Sequence, residues 1–258
     1  MNNKIKKILK KKNKSKIVCL TAYSKNIAEI IDDHADIVLV GDSLGSVLYN
    51  YDTTRKVSLN MMIEHTKSAR MGVKKSLLVI DLPYNTYRNK SEALKNSKKA
   101  IKETKCDAVK VEGGTRVKEI VKHLVKNKIP VLGHIGITPQ TAKGKFRSKG
   151  KNESEIRKLL KDARDLEQSG AFGMVLECIY SDISKQITSA INIPTIGIGA
   201  SVNCDGQVLV TDDLIGLNET KFRFVKKFGN IKKDIKSAVI KYKNSVKQKK
   251  FPSKKNSY

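Results

Sequence analysis

Four carboxylates stand at positions where they could do chemistry. Asp42, Asp81, Glu112 and Glu177 each close a short apolar run, in IVLVGDS, LLVIDLP, AVKVEGG and MVLEC. A charge at the exit of a buried strand costs free energy unless something at that edge uses it. Two aspartates with a glutamate nearby supply hard oxygen ligands. These suit Mg2+, which keeps several waters and needs only one or two protein carboxylates plus substrate oxygens. Lys110 precedes Glu112 by two residues, so both side chains leave one face of a strand. A cation there either holds an anionic substrate or lowers a neighbour's pKa; the plainer reading is a structural Lys–Glu pair. Glu177 follows Met-Val-Leu, an apolar setting that would lift a carboxyl's pKa and suit it to work as a general base. Zinc fits poorly. His34, His65 and His123 fall in helical stretches, and His134, at a strand end, has no second His or Cys to complete a ligand set. Two readings of His134 stay open, a bond to substrate or one to the barrel edge.

The elements that must position these groups are legible in the hydrophobic pattern. Apolar runs of strand length recur at 17–23, 36–42, 76–83, 108–114, 130–136, 173–178, 194–200 and 207–214. They are rich in Val, Ile and Leu without strict polar alternation, as parallel strands covered on both faces are. Stretches with helical spacing, such as LNMMIEHTKSARMG and SEIRKLLKDARDLEQSG, lie between them. Strand–helix alternation repeated eight times predicts an α/β fold, a (β/α)8 TIM barrel rather than an open doubly wound sheet. In such a barrel the C-terminal ends of all strands share one rim, so Asp42, Asp81, Glu112, His134 and Glu177 are expected in one mouth. The expected organisation is one domain over residues 1–258, with a basic arm at 1–16 and a lysine-rich helix and tail at 229–258. The arm reads as an unpacked appendage whose first ten residues turnover could spare, because lysine runs with little apolar content do not offset their ordering entropy.

Composition narrows the function classes. A formal net charge of +27 invites a nucleic-acid reading, but arginine is scarce beside lysine and the lysines spread over helix faces and both ends. No RNA-binding signature, zinc finger or zipper accompanies them. A solvated basic surface is expected, with only weak, salt-sensitive polyanion binding and no specific nucleic-acid function. Cys19, Cys106, Cys178 and Cys204 are far apart and show no CxxC spacing, so they read as reduced packing residues. No apolar stretch nears the ~20 residues that span a bilayer, and no secretory h-region is present; a cytoplasmic location is expected, with no membrane partner.

The wording of these segments resembles the ketopantoate hydroxymethyltransferase family over nearly the whole chain. LTAY (20–23), VLVGDSLG (38–45), DLP (81–83), VKVEGG (109–114), GHIGITPQ (133–140), VLEC (175–178), IGIGA (196–200) and DGQVLV (205–210) follow the family's order and spacing. The resemblance implies a barrel of the phosphoenolpyruvate/pyruvate-binding type and a homo-oligomer. It implies a bound Mg2+ that chelates a 2-oxo acid, and 5,10-methylenetetrahydrofolate as the one-carbon donor. Carried over position by position, it makes Asp42 and Asp81 direct metal ligands and Glu112 a further metal-site carboxylate. Asp42, Ser43, Asp81 and Lys110 become substrate contacts, and Glu177 the base. Two departures stand out. TAKGKFRSKGKNES at 141–154 is shorter and richer in lysine than the family's usual segment, which implies an altered lid whose Lys143 and Lys145 face the folate's anionic tail. Ser201 replaces the usual Gly after GIGA, a change expected to stiffen a rim loop. Two rival readings are another Mg2+-dependent 2-oxo acid enzyme of the same barrel superfamily, which would carry a characteristic cysteine-containing loop absent here, and a non-catalytic barrel that binds polyanions.

Overall fold

A computed structural model describes residues 2–142, 147–219 and 222–258. The chain forms two compact units, Met1–Val210 and Thr211–Tyr258. In the first, eight parallel strands close into a barrel in sequence order: β1 (Ile17–Thr21), β2 (Ile37–Val40), β3 (Leu77–Asp81), β4 (Ala108–Glu112), β5 (Val131–Gly136), β6 (Gly173–Glu177), β7 (Thr195–Ile198) and β8 (Gly206–Leu209). Helices α1 (Asn3–Lys10), α2 (Lys25–Ile31), α3 (Leu44–Tyr49), α4 (Leu59–Gly72), α5 (Lys90–Thr104), α6 (Lys118–Lys126), α7 (Glu153–Gln168) and α8 (Ser181–Ala190) belong to the same unit. The second unit carries α9 (Thr211–Leu214) and α10 (Ile231–Lys247), the latter with no buried residue.

The eight strands and their closure match the expectation. Strict strand–helix alternation breaks once, because residues 199–205 join β7 to β8 through a turn that contains no helix. Ser201 stands in that turn. Its hydroxyl accepts from Ser181 Oγ at 3.1 Å and from the Asn203 amide at 3.2 Å, tying the turn to the first residue of α8.

Strand periodicity divides the core into two layers. Val38, Val40, Leu78, Ile80, Val109 and Val111 pack outward beneath the helices. Ile37, Leu39, Leu77, Val79, Ala108, Leu132 and Val175 fill the barrel interior. The inward series continues toward the C-terminal rim at every second residue. Asp81 follows Leu77 and Val79, Lys110 and Glu112 follow Ala108, His134 follows Leu132, and Glu177 follows Val175. In β3, β4, β5 and β6 the same face is therefore aliphatic below and charged above.

The N-terminal arm differs from its expectation. Asn2 caps α1 by accepting from the Lys4 amide at 2.9 Å, and Ile5 and Ile8 are fully buried within the interior cluster, with Leu9 packed against it. Apolar positions at i, i+3 and i+4 make a stripe that the lysine count conceals. The helix thus closes the floor of the barrel, and the arm is no spare appendage. Ile5→Ala is expected to destabilise the protein by about 2–5 kcal/mol, the usual range for a buried Ile. Urea unfolding measures this, and a midpoint equal to wild type would return α1 to the status of an appendage.

A buried ion pair anchors the residues after α1. Lys12 Nζ donates to Asp205 Oδ2 at 2.9 Å and to the Thr188 carbonyl at 2.7 Å. Asp205 also accepts from the amides of Thr195 at 2.9 Å and Asn13 at 3.1 Å. Burial pushes the Asp205 carboxyl up, but these amides and the Lys12 ammonium outweigh it and hold it below the usual carboxylate range. A depressed folded-state pKa stabilises fully above the unfolded value near ~4 and fades as pH falls through the folded value. The stability of Asp205→Asn should accordingly fall less steeply than that of wild type below about pH 4, as acid titration of the unfolding midpoint would read. Parallel curves would deny Asp205 this role.

Candidate active site at the barrel mouth

Barrel register brings the charged residues together. Asp81 is paired with Lys110 across β3 and β4, and Glu112 with His134 across β4 and β5. His134 is also paired with Val175, so Glu177, two residues further along β6, stands diagonally above it. Gly136, paired with Glu177, lets the two backbones close at this rim: its φ is +100°, and a Cβ there would come within 2.2 Å of the Glu177 carbonyl oxygen. Asp42 lies in the loop between β2 and α3, where its amide donates to Asp81 Oδ2 at 3.1 Å. Ser43, the next residue, shares a hydroxyl–hydroxyl hydrogen bond of 2.8 Å with Tyr23.

Lys110 Nζ lies 2.5 Å from Asp81 Oδ1 and 3.9 Å from Glu112 Oε1, all three side chains being almost wholly buried. Burial opposes charge on Lys110, yet Asp81, Glu112 and Asp42 together outweigh it and raise its pKa above the ordinary lysine value. The Asp42 carboxyl is held well above its usual range, first by burial and then by repulsion from Asp81 and Glu112. Three carboxyl groups thus crowd one ammonium, and the repulsion from Asp81 and Glu112 that lifts Asp42 is what a further cation would relieve.

His134 is buried between two acids. Nδ1 stands 3.4 Å from Glu112 Oε1 and Nε2 stands 3.2 Å from Glu177 Oε2, but neither nitrogen closes a well-aligned hydrogen bond. Burial and Lys110 oppose the imidazolium; the attraction of the two carboxylates outweighs them and lifts His134 to about 9. Burial likewise pushes Glu112 up, while His134, Lys110 and the Gln140 amide pull it below the ordinary value. The Glu177 side chain is one-fifth exposed at the mouth, with an imidazole at its tip. Its setting is therefore mixed rather than the apolar one inferred from Met-Val-Leu.

Gln140 belongs to this site, although its residue type gave no reason to single it out. It follows β5, and its side-chain nitrogen donates to Asp42 Oδ2 at 2.8 Å and to the Leu82 carbonyl at 3.0 Å. Its backbone amide donates to Glu112 Oε2 at 3.1 Å, and its side-chain oxygen accepts from the Tyr87 hydroxyl. Arg55 fixes this loop by donating to the carbonyls of Gln140 at 2.9 Å and Ala142 at 2.8 Å. The only sequence signal was its place at the end of GHIGITPQ. Lys143 and Lys145 lie outside the described residues.

The fold and this site define a (β/α)8-barrel enzyme with a carboxylate-rich mouth. Similar barrels include a phosphoenolpyruvate phosphomutase from Streptomyces platensis subsp. rosaceus, with TM-score 0.63 at 9% identity over 95% of this chain and 87% of that one. A phosphonopyruvate hydrolase, solved with oxalate and Mg2+, has TM-score 0.61 at 8% identity over 99% and 93% of the two chains. The chain belongs to the ketopantoate hydroxymethyltransferase family, whose sequence profile matches residues 2–254. It is 62% identical over the full length of both chains to a 3-methyl-2-oxobutanoate hydroxymethyltransferase of Pelagibacter ubique (strain HTCC1062). An enzyme of the same name from Rhizobium etli is 48% identical over 92% of this chain and 88% of its own.

Proposed function

We propose that the chain transfers the one-carbon unit of 5,10-methylenetetrahydrofolate to C3 of 3-methyl-2-oxobutanoate. The products are 2-dehydropantoate, a precursor on the route to pantothenate and coenzyme A, and tetrahydrofolate. The observation that carries the reading is the convergence of Asp42, Asp81, Lys110, Glu112 and Glu177 in one barrel mouth, in a chain whose full-length relatives bear that enzyme's name. The overall change replaces a C3–H bond by a C3–CH2OH group, with water supplying the hydroxyl oxygen.

The donor set suits Mg2+. Among the described residues no three His, Cys, Asp or Glu side chains form a ligand cage, and Mg2+ needs no such cage because waters and substrate oxygens complete its octahedron. Asp42 and Asp81 would hold the ion, with Glu112 as a further carboxylate of the site. Bound Mg2+ would polarise the keto group and stabilise the charge that develops when C3 loses its proton. Gln140 fixes Asp42 through Oδ2. Lys110 holds Asp81 through Oδ1 and offers the 2-oxo acid's carboxylate a buried counter-charge. Ser43, oriented by Tyr23, adds a hydroxyl for the same substrate. Glu177, standing partly open at the rim, takes the C3 proton, and His134 steers its carboxylate. A cytoplasmic location suits a chain with four free cysteines, and no helix among the described residues is long and apolar enough to cross a membrane.

Tetrahydrofolate release that depends on 3-methyl-2-oxobutanoate tests this function. Consumption of the 2-oxo acid at the same rate with and without the folate would favour a different reaction of the barrel superfamily.

A further inference from the structure

Beside the mouth, the loops that follow β3 and β4 and the start of α6 line a half-open cleft of about 120 Å3, with Thr141 of the β5 loop also in its wall. None of the side chains assigned above to Mg2+ or to the 2-oxo acid lines it. Its volume is of the order of the ~150 Å3 cavity known to admit a single benzene ring, so it has room for one six-membered ring, with the rest of a longer ligand continuing out of its open side. Val117 and Ile120 give it a buried apolar floor, and Tyr84 and Tyr87 give it aromatic walls. Both walls are held. The Arg55 guanidinium lies 5.4 Å from the centre of the Tyr84 ring, and the Tyr87 hydroxyl donates to Gln140, which in turn binds Asp42. The cleft and the catalytic mouth are therefore linked through the Tyr87–Gln140 hydrogen bond.

Two arginines stand in the wall, in different states. Arg88 is engaged with Glu92, its Nη2 lying 2.6 Å from Oε1. Arg116 has no carboxylate or hydrogen-bond partner among the described residues. Its guanidinium lies over Gly113, where a Cβ would come within 3.4 Å of Nη2. A ring-sized aromatic slot with one unengaged guanidinium in its wall suits a flat ring joined to a carboxylate.

We propose that this cavity binds the p-aminobenzoyl-glutamate arm of the folate, with the ring between the two tyrosines and a glutamate carboxylate on Arg116. The assignment rests on the folate-dependent function proposed above. With the ring and glutamate held there, the bicyclic pterin is left to the open mouth beside Glu177, where the one-carbon unit is needed.

Calorimetric titration of the full-length protein with p-aminobenzoyl-L-glutamate tests the cavity without any turnover. Wild type should bind the fragment, and Arg116→Gln and Tyr84→Ala should each weaken binding by roughly tenfold or more, as loss of a charged hydrogen bond or a stacking wall would. In turnover, both variants should raise the KM for the folate by a similar factor while the KM for the 2-oxo acid stays within about twofold. Absence of fragment binding to wild type, or equal binding by wild type and both variants, would overturn the proposal. Fragment binding with these losses, in a protein that shows no folate-dependent turnover, would uphold the cavity and sink the transferase reading. Turnover with an unchanged folate KM in both variants would do the reverse.

Discussion

Glu177→Gln is expected to slow loss of the C3 proton of 3-methyl-2-oxobutanoate by about 10²–10⁴-fold, the usual contribution of a positioned general base. The amide keeps the side chain's size and its place beside His134, 3.2 Å away, but it has no basic oxygen to receive the proton. Substrate and Mg2+ should still bind, because neither depends on Glu177. Exchange of the C3 proton with solvent deuterium, followed by NMR, isolates this step, provided that wild type exchanges without folate or with an unreactive folate analogue. A mutant that exchanges as fast as wild type would make another group the base.

Asp81→Asn should weaken Mg2+ and 2-oxo acid binding together, each by roughly tenfold or more, since the acid is expected to bind largely through the ion. The change acts on two fronts. It removes a charged metal ligand, and it leaves Lys110 without its nearest counter-ion, 2.5 Å away in a buried setting. Loss of one partner of such a pair costs about 3–5 kcal/mol, so the folded fraction must be checked by unfolding before binding is read. Titration of Mg2+ and of the 2-oxo acid at matched folded concentrations separates the two effects. Mg2+ dependence equal to that of wild type would remove Asp81 from the ligand set.

Much of the site could be read from sequence because charge at the end of an apolar strand is conspicuous. Asp81, Lys110, Glu112, His134 and Glu177 all continue inward-facing strand series, and period-two alternation is visible without coordinates. What could not be read depends on register and on loops. The Lys110–Asp81 contact arises from the pairing of β3 with β4, which no local pattern encodes. The position of Glu177 above His134 needs the stagger between β5 and β6. Gln140 is uncharged and sits beyond a strand end, so nothing in its type announced that it would bridge Asp42 and Glu112. In α1 the lysines dominated the composition, and only the spacing of Ile5 and Ile8 betrayed a face that the barrel floor would bury. The missing helix between β7 and β8 went unread because GIGA and DGQVLV mark the two strands but not how the chain joins them.

The most direct test of the proposed transfer follows the one-carbon unit itself. The protein, Mg2+ and 3-methyl-2-oxobutanoate are mixed with 5,10-methylenetetrahydrofolate carrying 13C at the methylene position, and the products are read by carbon NMR. The label should appear in a hydroxymethyl group on a C3 that bears no hydrogen, with one tetrahydrofolate released for each labelled molecule. Label that remains in the folate, or that leaves it without forming a bond to C3, would contradict the proposed reaction.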